Sequence, residues 1–347
     1  MVKTPILTVA IPTYNRSKTL EKIIQELKNQ PNQNFILLIS DDRSPDETGK
    51  MVKKYQKQMP NLVYHRNEVN LGYSGNVCRL YEIATTRYIW YVCDDDTILP
   101  NAVGDVIAAL NKYEPVVAVF NTSWVNAYGQ ELVAGVSKDE IYTSEKQMET
   151  YQPLMRMTFL SIDVFERRIP LDEIKKTDYK DNIFFQVTLG LMLLEDKFKF
   201  CEISRNVIHR NVGYKYGEFF KFYLIDQFKA IFIIKHNFDK QKFINWAIRH
   251  LPVALELYLS QKLGLFKYNG SPTRKTIRTM IRYYGIYSLA VAMFPIIYLF
   301  TPTFLLKSIY YLKLISIHGK NKAELIYKAS INRTISDKRK TGFTAYR

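Results

Sequence analysis

Histidine, cysteine and glycine are all scarce in this chain, and each shortage closes off a class of chemistry. Its 347 residues include three cysteines, five histidines and fourteen glycines. Cys78, Cys93 and Cys201 form no C-x-x-C arrangement, which leaves no thiol zinc site and no disulfide framework, and suits reduced thiols in helical or strand patterns. His65, His209, His236, His250 and His318 lack metal-ligand spacing. No G-x-G-x-x-G or G-K-[ST] follows any strand-like run, so both the dinucleotide fingerprint and the phosphate-cradling P-loop are missing. If the chain binds phosphates, carboxylates and a cation must do the work that glycine amides do elsewhere. Acids are scarce in one region only. Residues 267–347 hold 15 Lys or Arg against Glu324 and Asp337, net +13, which leaves 34 against 31, net +3, for residues 1–266. Nearly the whole formal charge of +16 belongs to this C-terminal stretch. No RNA- or DNA-binding module accompanies that charge, so nucleic acid is not expected as a partner.

What is present is a repeated strand, loop and helix. Thr8–Ile11 is an apolar, β-branched run stopped by Pro12-Thr13-Tyr14-Asn15-Arg16, and Leu20, Ile23, Ile24 and Leu27 then fall at helical spacing between Lys18 and Lys28. A second run, Phe35–Ile39, ends at Ser40-Asp41-Asp42-Arg43-Ser44-Pro45, and a polar helix is expected from about Asp46 to Gln58. Leu62–Tyr64 gives a third strand. A polar loop from Asn67 to Asn76 should lead into a helix over Val77–Ala84, and that into a strand over Tyr88–Cys93. This alternation implies a parallel sheet covered by helices on both faces, with ligands at the carboxyl ends of its strands. Three strand ends would then meet at one crevice, carrying Pro12-Thr13-Tyr14, Asp41-Asp42 and Asp94-Asp95-Asp96. Carboxylates at the end of a buried strand suit Mg²⁺ or Mn²⁺, hard cations that keep substrate phosphates in their shell. An acidic turn capping the helix begun by Pro100 and Asn101 would use the same residues.

The linked motifs Thr8–Asn15, Ser40–Asp46, Asn70-Leu-Gly-Tyr-Ser-Gly-Asn76 and Asp94–Asp96 together resemble the large family of inverting, family 2 type glycosyltransferases with the GT-A fold, bacterial surface polysaccharide enzymes among them. The resemblance is strong over about residues 4–125, fades through about 210 and is absent beyond. It implies an α/β, Rossmann-like, mostly parallel sheet flanked by helices. It also implies a nucleoside-diphosphate sugar as donor, a UDP-sugar first, and a divalent cation, Mn²⁺ or Mg²⁺, as cofactor. By similarity, Pro12, Thr13 and Tyr14 border the nucleoside base, and Asp41 or Asp42 bonds the base or ribose. Asn70, Gly72 and Arg79 shape the wall near the diphosphate, although a plain turn for the first two and a helix-surface position for Arg79 remain open. Asp94 and Asp96 form the D-x-D, with Asp94 toward the ribose or donor sugar, Asp96 on the metal and Asp95 between them.

An inverting transfer also needs a general base, which this family takes from a Glu-Asp pair opening a helix after the later strands. Here the pair reads Lys180-Asp181, so Asp181 is the first choice and Asp178, one turn away, the second. The literal Glu195-Asp196 lies at the far end of the apolar helix over Ile183–Leu194, where it should face solvent. Arg210, after a short apolar run, could reach a phosphate.

The expected layout is a catalytic domain over 1–215, with a nucleotide-binding half to residue 100 and an acceptor half after it. A helical connection over 216–270 and a basic, apolar helical region over 271–347 follow. Tyr283–Leu306 carries no charge but is interrupted by Pro295 and Pro302 and flanked by basic residues on both sides, a pattern that suits docking into an anionic leaflet better than crossing it. A buried helical pair in a soluble oligomer is the other arrangement. With no leader before the Thr8–Ile11 strand, the cytoplasmic face of the cell membrane is the expected location, and a lipid-linked glycan the expected acceptor. The alternatives in other classes are a nucleotidyltransferase, which would form a pyrophosphate bond, and a non-catalytic sugar-binding protein on the same fold.

Overall fold

Seven consecutive buried residues make up β1 (Leu7–Thr13), a strand covered on both faces as parallel sheets require. The computed structural model describes residues 4–125, 131–149, 151–177 and 184–210, with Ser308 and Tyr311. All of these except Ser308 and Tyr311 belong to one compact unit. The expected regions 216–270 and 271–347 therefore lie almost wholly outside the described residues, as do Asp178, Asp181 and Tyr283–Leu306. Among the described residues no helix is long and apolar enough to cross a membrane.

The first half follows the alternation read from the sequence. α1 (Ser17–Lys28) buries Leu20, Ile23, Ile24 and Leu27, one apolar stripe at helical spacing, each side chain worth roughly 1.5–3 kcal/mol of burial. β2 (Ile36–Asp41), α2 (Thr48–Gln56) and β3 (Leu62–Arg66) follow. α2 starts later than expected because the Asp46 carboxylate accepts from the Thr48 amide at 3.1 Å and terminates the preceding turn. α3 (Gly72–Ile83) instead begins five residues before the expected Val77. The Asn70 side chain accepts from the Gly72 amide at 2.9 Å, and Gly72 takes a φ of 72°, so what reads as a loop is the entry to the helix. β4 (Tyr88–Tyr91) is two residues shorter than expected, which leaves Cys93–Asp96 in the turn that precedes β5 (Thr97–Ile98).

After α4 (Ala102–Tyr113) the chain adds β6 (Val117–Val125), β7 (Glu131–Ala134) and β8 (Glu140–Tyr142). The short α5 (Gln152–Met155) and two 3₁₀ turns then lead to β9 (Asp163–Glu166). α6 (Leu171–Lys175), α7 (Phe185–Asp196) and β10 (Phe200–His209) complete the described chain. α7 is buried nearly all round, as a helix without a polar face must be.

The sheet runs β3-β2-β1-β4-β9-β6-β10-β5, with β7 paired to β6 and β8 to β10. β3, β2, β1 and β4 are mutually parallel, β9 is antiparallel to both β4 and β6, and β10 is parallel to β6. In register, Thr13 lies beside Asp41 and Asp41 beside Arg66. On the other side of β1, Ala10 lies beside Tyr91. The acidic turn after β4 thus emerges next to the end of β1, and the strand ends expected to meet lie side by side.

Candidate active site

The turn Asp94–Asp96 is gripped from three elements. The Thr13 hydroxyl at the end of β1 donates to Asp94 Oδ2 at 2.6 Å. Arg16, at the start of α1, donates from Nη1 to Asp94 Oδ1 at 2.9 Å and to Asp95 Oδ2 at 2.6 Å. The Ser161 hydroxyl donates to Asp96 Oδ2 at 2.6 Å and accepts from the Cys93 amide at 2.9 Å. Asp94 and Asp96 are nearly fully buried, so these contacts answer the cost of taking carboxylates out of water. Burial pushes the Asp94 carboxyl up to about 6, against the opposing pull of Arg16 and the Thr13 hydroxyl.

Among the described residues, metal-ligating atoms of Cys93, Asp95 and Asp96 come together, all within 4.8 Å of one another. Of the expected pair Asp94 and Asp96, Asp96 lies in this group, while Asp94 bonds Thr13 and, like Asp95, Arg16. Two carboxylates at one turn suit the hard cations Mg²⁺ and Mn²⁺, and the thiol beside them adds a softer donor. The residues present therefore fit a divalent cation. Burial, followed by Asp96 and Asp95, pushes the Cys93 thiol well above its ordinary value.

The other strand ends supply walls. Tyr14 and Tyr73 are 45% and 42% exposed, two aromatic rings at the carboxyl edge of the sheet. Pro12 lies within β1, opposite Ser40 of β2. Asp41 is buried and accepts from the Ser44 amide at 2.8 Å and the Tyr64 hydroxyl at 2.6 Å, with Arg66 at 3.5 Å. Asp42, also buried, accepts from Asn67 Nδ2 at 2.9 Å and from the Leu71 amide at 2.7 Å. It thereby braces the loop that carries Asn70 and Gly72. Arg79 is ion-paired with Glu82 one turn along α3, the helix-surface position the sequence left open. Arg210 lies over the rings of Phe159 and Trp124, 4.3 and 5.6 Å from their centroids. Asp196 is exposed and paired with Arg168 at 2.9 Å, the solvent-facing position expected of it.

Sequence reasoning missed Ser161 and the part played by Arg16. Arg16 carried a signal, since it closes the Pro12–Arg16 loop at a strand end. Ser161 carried none, being 65 residues from Asp96. Asp163 was missed as well: it is fully buried and neither carboxylate oxygen has a hydrogen-bond partner among the described residues.

A mostly parallel α/β sheet with carboxylates at adjoining strand ends is consistent with the GT-A fold. Comparison with known proteins makes this specific, because residues 8–159 match the glycosyl transferase family 2 model and constitute a domain of that family. The chain is 31% identical over 109 residues to the GalNAc(5)-diNAcBac-PP-undecaprenol beta-1,3-glucosyltransferase of Campylobacter jejuni, a match covering 31% of this chain and 35% of that protein. It is 32% identical over 112 residues to abequosyltransferase RfbV of Salmonella typhimurium, covering 31% and 32%. The matched segment thus spans about a third of the length of these relatives. The crystal structure of S. aureus TarS 1-349 in complex with UDP superposes with a TM-score of 0.57 at 15% identity, covering 97% of this chain and 93% of that one. At that identity the likeness speaks for the fold alone.

Proposed function

We propose that this protein is a metal-dependent inverting glycosyltransferase. It moves a sugar from a nucleoside-diphosphate sugar, a UDP-sugar first, to a hydroxyl of a lipid-linked glycan in bacterial surface polysaccharide synthesis. The observation that carries this reading is the convergence of Thr13, Arg16 and Ser161 on three consecutive aspartates where the strands end. Support for the acceptor comes from the Campylobacter relative, whose name carries a PP-undecaprenol.

Asp95 and Asp96, with Asp94 beside them, would hold Mn²⁺ or Mg²⁺, and Cys93 lies within the same group. When bound, the cation supplies Lewis-acid stabilisation of charge on the departing diphosphate. Pro12, Thr13 and Tyr14 border the base. Asp41 and Asp42 fix the loops that face the ribose, and Asn70 and Gly72 set the wall toward the diphosphate. Asp181, or Asp178 as second choice, takes the proton of the acceptor hydroxyl as its oxygen attacks the anomeric carbon opposite the leaving group. The basic region 271–347 docks on the cytoplasmic leaflet, its lysines and arginines attracted to anionic lipid while apolar residues enter the interface. Deleting residues 272–347 should release the protein from the membrane fraction, and unchanged fractionation would overturn the docking.

The testing experiment is calorimetric titration of a panel of nucleoside diphosphates, with Mn²⁺ and with chelator, into wild type and Asp96→Ala. Metal-dependent binding of one nucleotide, lost in the variant, is the expected result and names the donor class. Absence of any nucleotide binding in the membrane-reconstituted full chain would reject the reading.

A further inference from the structure

Arg16 is ion-paired with the acidic turn, and its position is set by backbone as well as charge. Asn15 takes a φ of 55°, and its amide donates to Ser44 Oγ at 2.9 Å, while the Ser17 amide donates to Asp46 Oδ2 at 3.1 Å. These two contacts pin the main chain on either side of Arg16 to the loop after β2. The guanidinium is thereby held over Asp94 and Asp95, yet the side chain remains 42% exposed at its carboxylate pair. An anchored backbone with a long, partly solvated side chain can change partners without moving the fold.

Repulsion between like charges favours that change. Asp94, Asp95 and Asp96 with Arg16 carry a formal charge of about −2 when ionised, and a divalent cation there would bring it to about zero. Held on the carboxylates, Arg16 repels that cation. Released from them, it lies near the anionic diphosphate that the cation brings.

We propose that Arg16 is an exchangeable counter-cation of the donor site. It neutralises Asp94 and Asp95 while the site is empty, and transfers its hydrogen bonds to diphosphate oxygens when cation and nucleotide enter. This rests on the glycosyltransferase reading. Arg16 is a positioning residue for the acidic turn in one state and a ligand-binding residue in the other, a planar fork suited to both carboxylate and phosphate.

The test measures two affinities that the exchange moves in opposite directions. Mn²⁺ alone is titrated into wild type, Arg16→Ala and Arg16→Lys, with free Mn²⁺ read by electron paramagnetic resonance. UDP is then titrated at saturating Mn²⁺ by calorimetry. Arg16→Ala should bind Mn²⁺ about tenfold more tightly and UDP about tenfold more weakly, and Arg16→Lys should fall between it and wild type in both. Circular dichroism checks that the variants are folded, and Arg16→Gln replaces Arg16→Ala if that variant is not. Tighter Mn²⁺ with unchanged UDP would show that Arg16 only repels the metal, and would overturn the exchange. Weakening of both affinities would make Arg16 a structural brace and also overturn it. A wild type that binds neither Mn²⁺ nor any nucleoside diphosphate would take down the glycosyltransferase reading and this proposal with it, an outcome plainly different from the other two.

Discussion

Two strand ends in this molecule carry adjacent aspartates, and they put them to different uses. After β2, Asp41 and Asp42 accept hydrogen bonds from the amides of Ser44 and Leu71 and from side chains of the adjoining loop and strand, Asn67 and Tyr64. After β4, Asp94 to Asp96 are held by the hydroxyls of Thr13 and Ser161 and by the Arg16 guanidinium. Asp41, Asp42, Asp94 and Asp96 are buried, and Asp95 is partly exposed. Amides fixed in the main chain cannot be withdrawn without unfolding the loop, so the bonds from Ser44 and Leu71 tie Asp41 and Asp42 to the fold. Hydroxyls and a long cation rotate at little cost, which leaves the second set able to take a new partner. An acidic pair at a strand end is therefore no metal site by composition alone. The chemistry of its donors decides.

Breaking the second set should have the largest effect. Asp96→Ala is expected to lower glycosyl transfer about a thousandfold and to abolish metal-dependent nucleotide binding, while shifting the thermal midpoint little; transfer assays beside calorimetry check both. Asp181→Asn should lower transfer about a hundredfold with nucleotide binding unchanged. If Asp178→Asn has that effect instead, the base is Asp178.

The first set should respond in stability. Asp41→Asn weakens hydrogen bonds made to a buried charge and is expected to cost about 2 kcal/mol, measured by urea denaturation, with the metal affinity of the folded protein unchanged. A variant that loses Mn²⁺ binding at full stability would erase the distinction between the two strand ends.

The smallest effect sharpens the contrast with a buried carboxylate that has neither kind of partner. Burial holds Asp163 well above the ordinary carboxylate value, with Arg156 pulling the other way. The folded state then binds the proton more tightly than the unfolded chain. The stability contribution is present below the ordinary carboxylate range and is lost as pH rises toward the folded-state value. Asp163→Asn should leave stability within about 1 kcal/mol at pH 5 and flatten its decline toward pH 8, as melts across that range would show.

The half of the fold built from local alternation was legible, because each strand and amphipathic helix declares itself within a dozen residues. Leu20, Ile23, Ile24 and Leu27 are buried as their spacing required. The entry of α3 was not legible, since Asn70-Leu-Gly-Tyr73 is written in turn residues, and only the Asn70 to Gly72 contact turns it into a helix start. The place of β9 between β4 and β6 was hidden too, for nothing near Asp163–Glu166 specifies partners as distant in the chain as Trp90 and Ala118. In the site, the aspartates announced themselves by type. What holds them did not, because Thr13, Arg16 and Ser161 meet only after the sheet has formed.

The late arrival of β9 bears on how the chain is made. During synthesis β1 to β4 can assemble once residue 91 is free of the ribosome, yet the outer edge of β4 waits for a strand about seventy residues later, roughly 4–15 s at ordinary elongation rates. Through that interval Tyr88–Tyr91, wholly buried in the finished sheet, offers unpaired backbone to any other nascent chain. A pause or truncation between residues 100 and 160 should therefore yield aggregates seeded at β4, and a chaperone that shields this edge would be of most use in that window.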